Sequence, residues 1–392
     1  MNIHDFDAIR PYLPEELPEV FERLLGNPQF AAILTSFFPG IPLEMLKQKL
    51  LGCRDNLEAQ KAFCYPLLKN LLQKCSTSIE FDTASIPAER RATDSFTFIS
   101  NHRDIVLDSA LLSILLIENG YRTTVEIAIG DNLLIYPWIK DLVRVNKSFI
   151  VQRSVTMREM LASSKRMSDY MHFALLSKHE NIWIAQREGR AKDSDDRTQE
   201  SVLKMMAMGG EGTAVERIKA MNLVPLAISY ELDPCDFLKA KEYQQKRDIE
   251  GFKKSQADDL NNMHTGIFGK KGRIVYRTAA PVNSWIDEIA DLPKSEFFRV
   301  LAERIDRGIH AGYELYPCNY IACDLLSGSR QHAEHYTAED ETAFHAYLEE
   351  RLALIDLPEK DVDFLKERIL TMYANPVKNH EKAVAEVVTK GR

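Results

Sequence analysis

The sequence predicts an α/β protein in which a mixed, largely parallel sheet is flanked by helices, with an N-terminal helical domain and C-terminal helices. From residue 95 onward, strand-like runs alternate with amphipathic helix-like runs, a pattern typical of parallel sheets. Nearer both ends of the chain, apolar residues recur at the three- and four-residue spacing of helices. We therefore expect a helical domain over 1–85, an α/β domain over 86–320, and a helical extension over 321–392 that packs on the α/β domain.

The helical parts are recognised by runs of leucine and other apolar residues that proline, glycine or polar segments separate. In the N-terminal part these runs are LPEELPEVFERLL, PLEMLKQKLL and CYPLLKNLLQK, and the polar stretch IPAERRATD connects them to the first central strand. In the C-terminal part they are SEFFRVLAERIDRGIHAGY, TAEDETAFHAYLEERLALI and DVDFLKERILTMY.

The central part contains six strand-like runs, and each of the first four leads toward a helix-like run. The stretch 239–271 is polar and rich in lysine. It is either a solvated helix and loop or a basic edge that meets lipid headgroups or an acidic carrier protein. The six strand-like runs are FTFIS, VEIAIG, SFIVQR, NIWIAQ, NLVPLAISYEL and GRIVYRTAAPV.

The composition argues against several classes of protein. The 392 residues carry a formal net charge of −8, whereas nucleic-acid-binding proteins usually have a basic surface, so we expect no nucleic-acid partner. The longest apolar run, 110–117, is far shorter than the roughly 20 residues that cross a bilayer. The first residues are acidic and interrupted by proline, unlike a signal peptide. The six cysteines include no C-x-x-C pair, and we expect reduced thiols in the cytoplasm.

The stretch most informative about function is the turn between the first central strand and its helix. Asn101 and His102 follow the strand FTFIS directly, and Asp104 and Asp108 come next, before the apolar run SALLSILLI. Loops at strand ends carry catalytic groups on a rigid scaffold in many α/β enzymes. The turn therefore predicts a site where a histidine and a carboxylate act together.

Three other interpretations of local motifs fit the sequence less well. HRDIVLD resembles the start of a kinase catalytic loop, but no D-F-G, V-A-I-K or glycine-rich loop accompanies it. His332 and His335 form an H-x-x-H, which supplies too few ligands for a zinc site, and we expect no metal. No G-x-S-x-G elbow of a serine hydrolase is present.

Four segments occur in order between residues 95 and 232. They are Asn101 and His102 followed by Asp108; Arg153 after a strand; Glu188, Gly189 and Arg190 after the next strand; and an apolar strand that contains Pro225. These segments resemble the four motif blocks of the glycerol-phosphate acyltransferase superfamily, which are N-H-x4-D, an arginine after a strand, E-G-x-R or G-G-R, and an apolar strand with proline. A helical domain followed by the α/β domain, without membrane spans, is similar in layout to the soluble plastid-type glycerol-3-phosphate acyltransferases.

Two departures from the family pattern leave alternatives open. The family aspartate lies five residues after the histidine, whereas Asp108 lies six after His102, so the pair must meet across the turn. Asp104 is the rival partner, and its other role is to cap the following helix; we favour Asp108. Glu188 aligns either with the family glutamate or with a glycine of G-G-R.

The resemblance implies transfer of a fatty acyl group to a hydroxyl of glycerol-3-phosphate or a lyso-phospholipid, in phospholipid biosynthesis. The donor is a thioester, either acyl-CoA or an acyl-carrier protein, and no cofactor is required. His102 is the general base, because a hydroxyl is a poor nucleophile near neutral pH, and Asp108 holds its other nitrogen. The residues implied to bind the phosphate-bearing acceptor are Arg153, Glu188, Gly189, Arg190 and Lys192.

Two alternative functions use the same residues or the same fold. One is acyl transfer to a different lipid headgroup, such as an amino-acid lipid, and the other is non-catalytic lipid binding. Because an acylated product partitions into a bilayer, we expect a cytoplasmic protein peripheral to the inner face of the membrane. The acyl chain needs an apolar groove, and the helical surface near 107–118 and the N-terminal domain are the candidates.

Overall fold

Seven strands form one sheet within residues 2–38, 40–134, 136–152 and 157–390, the part of the chain that this computed structural model describes. The first strand lies ahead of residue 86, inside a stretch that the sequence predicted to be helical. The strands are β1 (Ser76–Asp82), β2 (Thr97–Ser100), β3 (Val125–Gly130), β4 (Ser148–Val151), β5 (Asn181–Ala185), β6 (Leu223–Tyr230) and β7 (Gly272–Thr278).

The sheet is mixed and largely parallel, which confirms the predicted fold class. Its strand order is β1-β7-β6-β2-β5-β3-β4. The strands from β6 to β4 are parallel to one another, whereas β7 is antiparallel to β6 and parallel to β1. The carboxyl ends of the five parallel strands therefore lie along one edge, where open α/β sheets usually bind ligands.

The N-terminal helices pack around their own apolar cluster, which includes Leu17, Phe21 and Leu46. They also join the α/β part, because Val145 belongs to the same cluster and Arg23 binds Asp141 at 2.7 Å. A π-helical turn, Gln60–Cys64, connects the last two of these helices. They are α1 (Leu17–Leu25), α2 (Pro28–Phe37), α3 (Leu43–Leu51), α4 (Asn56–Ala59) and α5 (Tyr65–Cys75).

Helices cover both faces of the sheet. Side chains alternate along β2, so that Phe98 packs in the cluster of α5 and the helix after β2, whereas Ile99 packs in the cluster on the opposite face. The helices between the strands are α6 (Ala88–Thr93), α7 (Leu107–Glu118), α8 (Pro137–Val145), α9 (Met157–Leu176), α10 (Glu200–Met206), α11 (Ala214–Ala220), α12 (Asp236–Asp248) and α13 (Gln256–Phe268).

The C-terminal helices pack against one another and against α12, with Ala240 in the same buried cluster as Leu348 and Leu365. None of the described helices is long and apolar enough to cross a membrane. The division of the chain into three domains stays a prediction. The C-terminal helices are α14 (Lys294–Ala311), α15 (Pro317–Ser327), α16 (Ala338–Ala353) and α17 (Val362–Lys390).

Candidate active site

The turn after β2 begins with a side chain that extends the sheet. Asn101 is fully buried. Its side-chain amide donates to the carbonyl of Ile228, and its side-chain oxygen accepts from the amide of the same residue, both at 2.8 Å. The carboxamide thereby replaces a backbone pairing between β2 and β6. It holds the end of β2 in register, and the next residue, His102, starts from a rigid position.

His102 and Asp108 form a hydrogen-bonded pair. Nδ1 of His102 lies 2.8 Å from Oδ2 of Asp108, which is fully buried in the first turn of α7. A carboxylate only accepts hydrogen bonds, so Nδ1 carries the proton and Nε2 is left for a substrate. The backbone turns between the two residues, and the six-residue spacing therefore brings them together across the turn.

Three further donors hold the carboxylate of Asp108 in place. The backbone amides of Arg103 and Asp104 donate to Oδ2 at 2.6 and 3.1 Å, and the hydroxyl of Tyr230 donates to Oδ1 at 3.1 Å. The helix N-terminus also favours a negative charge at this position. These interactions fix the position of the carboxylate beside the imidazole of His102.

Asp104, the rival partner, caps the helix instead. Its Oδ1 accepts from the amides of Val106 and Leu107 at 2.8 and 2.7 Å, which is the capping role predicted as its alternative. Burial, with a smaller contribution from the charge of Asp108, raises the pKa of Asp104. In the described part of the chain His102 pairs with Asp108 and not with Asp104.

Trp183 fixes the orientation of the imidazole from the side, and the sequence analysis missed it. Its ring meets the His102 ring edge to face, with centroids 5.3 Å apart, and its Nε1 donates to Oγ of Ser100 at 3.0 Å. Trp183 lies on β5 opposite Phe98 of β2. The pairing of β5 with β2 places Trp183 beside His102, and a prediction of this pairing would have identified Trp183.

A pocket of ≈ 460 Å³ opens at the carboxyl edge of the sheet, beside His102. One side is apolar and is formed by the ends of β3 and β5 and by α8. The helical surface near 107–118, one of the two surfaces predicted to form the acyl groove, contributes only Ser109 of α7 to this lining, and most of the apolar residues of α7 are buried in the core. The apolar lining residues are Ile105, Val106, Ile127, Ala128, Ile129, Leu133, Ile139, Val143, Trp183, Ala185 and Met263.

The opposite side of the pocket is polar and carries several cations. Of the predicted binding residues, Glu188, Gly189, Arg190 and Lys192 all line it. Arg153 lies outside the residues that the structure describes. The pocket also contains cations that the sequence analysis did not select, Arg187 and Lys254, and the anion Asp259.

The loop after β5 carries the predicted binding residues other than Arg153 and has a defined backbone. Gly189 has a φ of 68°, a conformation that favours glycine, and the amide of Glu188 donates to the side chain of Gln199 at 2.8 Å. Nη1 of Arg190 is buried without a hydrogen-bond partner in the described part of the chain. A buried guanidinium nitrogen in this state favours an anionic ligand or water next to it.

Burial lowers the pKa of Lys192 to about 8, although its ammonium group contacts the carboxylate of Glu242. Lys192 therefore changes charge within an experimentally accessible pH range. Pro225, the fourth motif residue, lies in the middle of β6 opposite Ile99 and does not line the pocket. Its position indicates a structural role in the sheet.

A buried ion pair connects the His102 turn to the loop after β5. The guanidinium of Arg103 donates to Ser194 at 2.5 Å and to Asp196 at 2.7 Å, and Asp196 is fully buried. Since the backbone amide of Arg103 also donates to Asp108, this residue links the histidine–aspartate pair to the loop that carries Arg190 and Lys192. The sequence analysis missed it because the partners lie about 90 residues apart.

Replacing Arg103 is expected to destabilise the fold. Arg103→Met leaves the carboxylate of Asp196 buried without its counter-charge, and breaking such a pair costs about 3–5 kcal/mol. Urea unfolding at pH 7 measures the loss. Arg299→Met removes an exposed pair with Glu303 and is the control, with an expected effect below about 1 kcal/mol. Equal losses in the two variants would contradict this assignment.

The fold and the pocket define the general class of the protein. It is an α/β protein in which parallel strands end at one pocket, and a histidine–carboxylate pair, an apolar wall and a set of cations meet there. The model of the Acyltransferase family matches residues 85–229, the segment from α6 to β6 that includes all four motif blocks. The match covers little more than a third of the chain, and over this segment it confirms the resemblance to the glycerol-phosphate acyltransferase superfamily.

Among solved structures, the chain is similar to the 1-acyl-sn-glycerophosphate (LPA) acyltransferase PlsC from Thermotoga maritima. The two share 11% sequence identity, with 76% of this chain and 94% of that chain covered and a TM-score of 0.37. A likeness at this level does not bear on the substrate. No curated protein matches the sequence.

Proposed function

We propose that this acyltransferase moves a fatty acyl group from a thioester to a hydroxyl of a glycerol phosphate or lyso-phospholipid. The main support for this proposal is the hydrogen bond between Nδ1 of His102 and Asp108, which leaves Nε2 for a substrate. His102 lines a pocket with an apolar side and a cationic side. The apolar side suits an acyl chain, and the cationic side suits a phosphate. The match of residues 85–229 to the Acyltransferase family model supports the reaction class.

In the proposed reaction Nε2 of His102 takes the proton of the acceptor hydroxyl while that oxygen attacks the thioester carbonyl. The tetrahedral intermediate then collapses, the carbon–sulfur bond breaks, and the departing thiolate receives the proton from the imidazolium. Asp108 stabilises the imidazolium through Nδ1. No acyl-enzyme is needed, because the acceptor hydroxyl attacks the donor directly.

The cations on the polar side of the pocket position the acceptor. A phosphate accepts several charge-assisted hydrogen bonds, and guanidinium groups match its geometry. Arg190 and Lys192 are the predicted phosphate ligands that line the pocket, and Arg153 belongs to the same proposal from the sequence. Holding the phosphate would place the hydroxyl near His102, which accelerates the reaction by orientation.

The donor proposed is acyl-CoA or an acyl-carrier protein, both of which are anionic. A product with a long acyl chain partitions into a bilayer, so we propose a cytoplasmic enzyme at the inner face of the membrane. Flotation with vesicles of anionic phospholipid tests the second point. Protein that stays entirely with the soluble fraction would contradict a membrane-surface enzyme.

The function is tested by a radiolabelled transfer assay. Glycerol-3-phosphate and lyso-phosphatidic acid are offered in parallel, each with acyl-CoA and with acyl-carrier-protein donors, to the wild type, His102→Ala and the control His345→Ala. Lipid product that depends on His102 and not on His345 supports the proposal and identifies the acceptor. Free fatty acid as the sole product would indicate a thioesterase. Absence of any turnover would favour another headgroup or non-catalytic lipid binding.

The pKa of Lys192 predicts a pH dependence of acceptor binding. Its folded-state pKa is lowered to about 8, so the ammonium charge is present below that pH and is lost as the pH rises through it. The KM of the acceptor is expected to rise above pH 8, by up to about tenfold per pH unit. The acceptor phosphate stays a dianion there, since its second pKa is about 6.

Steady-state kinetics between pH 7 and 9.5 measure this dependence. Lys192→Met is the control, with a raised acceptor KM that no longer changes over the same pH range. An acceptor KM of the wild type that stays constant from pH 7 to 9.5 would show that Lys192 does not bind the phosphate.

A further inference from the structure

One wall of the pocket comes from a segment that the family model does not cover. Helices α12 and α13 and their connection, residues 236–268, lie between β6 and β7 and beyond the matched residues 85–229. Lys254, Asp259 and Met263 of this segment line the pocket that contains His102. The segment is therefore part of the binding site and not only a solvated surface.

The polar contacts of this wall converge on one buried carboxylate. Glu242 on α12, with a side chain that is 5% exposed, contacts three ammonium groups. Lys246 lies 3.0 Å and Lys254 lies 3.2 Å from its oxygens, and Lys192 reaches it from the loop after β5. Asp259 lies 3.5 Å from Lys254. The three lysines outnumber the two carboxylates, so the cluster keeps a positive charge and attracts anions.

Only two of the three lysines line the pocket, Lys192 and Lys254. Each is about one quarter exposed, so each ammonium group is accessible from the pocket while it holds Glu242. An ammonium group has three donors and no acceptor. Each lysine therefore keeps at least one donor for an anion beyond its contacts with Glu242 and, for Lys254, with Asp259.

The neighbouring guanidinium of Arg190 adds to the same positively charged end of the pocket. Nη2 of Arg190 donates to Asn262 of α13 at 3.5 Å, and Nη1 is buried without a partner among the described residues. Arg190 and the wall of α12 and α13 thus meet at the polar end of the pocket. A single anion at this end would face Arg190, Lys192 and Lys254.

We propose that Lys254 binds a phosphate group of a substrate together with Lys192, and that Glu242 is the positioning residue that holds both ammonium groups toward the pocket. The proposal rests on the proposed function and names a binding residue from outside the family domain. The shared chemistry is a phosphate dianion. This phosphate belongs either to the acceptor or to the thioester donor. Substitution of Lys254 would raise the KM of the acceptor in the first case and the KM of the donor in the second.

The first test measures binding without turnover. Isothermal titration calorimetry measures the binding of inorganic phosphate and, separately, of coenzyme A. The two proteins compared are full-length His102→Ala and the double variant that also carries Lys254→Met. Loss of a hydrogen bond to a charged group weakens binding by about tenfold or more. The matched control is Lys253→Met, which removes an exposed charge one residue away and outside the pocket. Equal affinities with and without Lys254 for both probes would overturn the proposal.

The second test uses steady-state kinetics of the otherwise wild-type enzyme. Lys254→Met is expected to raise the KM of one substrate about tenfold with little change in kcat. A raised acceptor KM assigns the phosphate to the acceptor, and a raised donor KM assigns it to the donor. Lys254→Arg keeps the charge and is expected to retain most of the affinity. An enzyme that binds phosphate through Lys254 but transfers no acyl group would refute the proposed function and leave this site in place.

The positioning role of Glu242 has its own readout. Its carboxylate raises the pKa of Lys192 against the effect of burial, so Glu242→Gln is expected to move the pH-dependent rise of the substrate KM to lower pH. A residue that only stabilised the fold would leave the pH profile in place. An unchanged profile in a folded Glu242→Gln variant would overturn the positioning role.

Discussion

His102→Ala is expected to lower kcat by about 10²- to 10⁴-fold, the usual contribution of a general base. The variant loses the ring nitrogen that takes the hydroxyl proton, while the pocket lining and the cations remain. Because the proposal assigns acceptor binding to the cations and acyl-chain binding to the apolar wall of the pocket, both KM values are expected to change much less than kcat. Initial rates over a matrix of donor and acceptor concentrations separate the two effects.

A control measurement must verify that the His102→Ala variant is folded. The side chain of His102 is 14% exposed and packs against Trp183, so its removal leaves a small space at the pocket and not in the core. A thermal unfolding midpoint close to that of the wild type is expected. Full activity in a folded His102→Ala variant would refute histidine as the base.

Asp108→Asn is expected to lower kcat by about 10²- to 10⁴-fold as well. An amide cannot accept from His102, two backbone amides and Tyr230 as the carboxylate does. Its own donor also opposes the protonated Nδ1, so the imidazole loses the tautomer that frees Nε2. The lost buried hydrogen bonds are expected to reduce the free energy of unfolding by about 1–3 kcal/mol.

Asp104→Asn is the matched control, because Asp104 caps the start of α7 and, among the described residues, does not pair with His102. Its Oδ1 accepts from two backbone amides, which an asparagine also does. The neutral amide resembles the protonated form that a raised pKa favours. We expect a kcat close to that of the wild type. An equal loss of kcat in Asp104→Asn and Asp108→Asn would refute Asp108 as the specific partner of His102.

The fold class was predictable because it follows from local patterns. The strands β2 to β7 all lie within runs recognised by their apolar and β-branched residues, and the helices follow from three- and four-residue spacing. Strand β1 was missed because Ser76–Asp82 follows helix α5 without an intervening turn. Its pairing with β7, almost 200 residues later in the chain, is a tertiary interaction that overrides the local helical context.

The candidate site likewise contains residues that were predictable from the sequence and residues that were not. Asn101, His102, Glu188, Arg190 and Lys192 were identified from motifs at strand ends, and the structure places all but Asn101 around the pocket. Trp183, the pair of Arg103 with Asp196, and the cluster around Glu242 were not identified. Each of these depends on residues far apart in sequence that packing brings together.

By itself, the sequence determined the alternation of strands and helices, the turn after β2, and the set of candidate residues on it. These features depend on hydrogen bonds and apolar spacing within a few residues, which are legible in a single chain. Tertiary structure alone decided that Asp108 and not Asp104 meets His102, and that α13 and the connection before it complete the pocket. Those outcomes depend on the direction of side chains across a turn and on packing between distant segments, where burial of charge selects the partners.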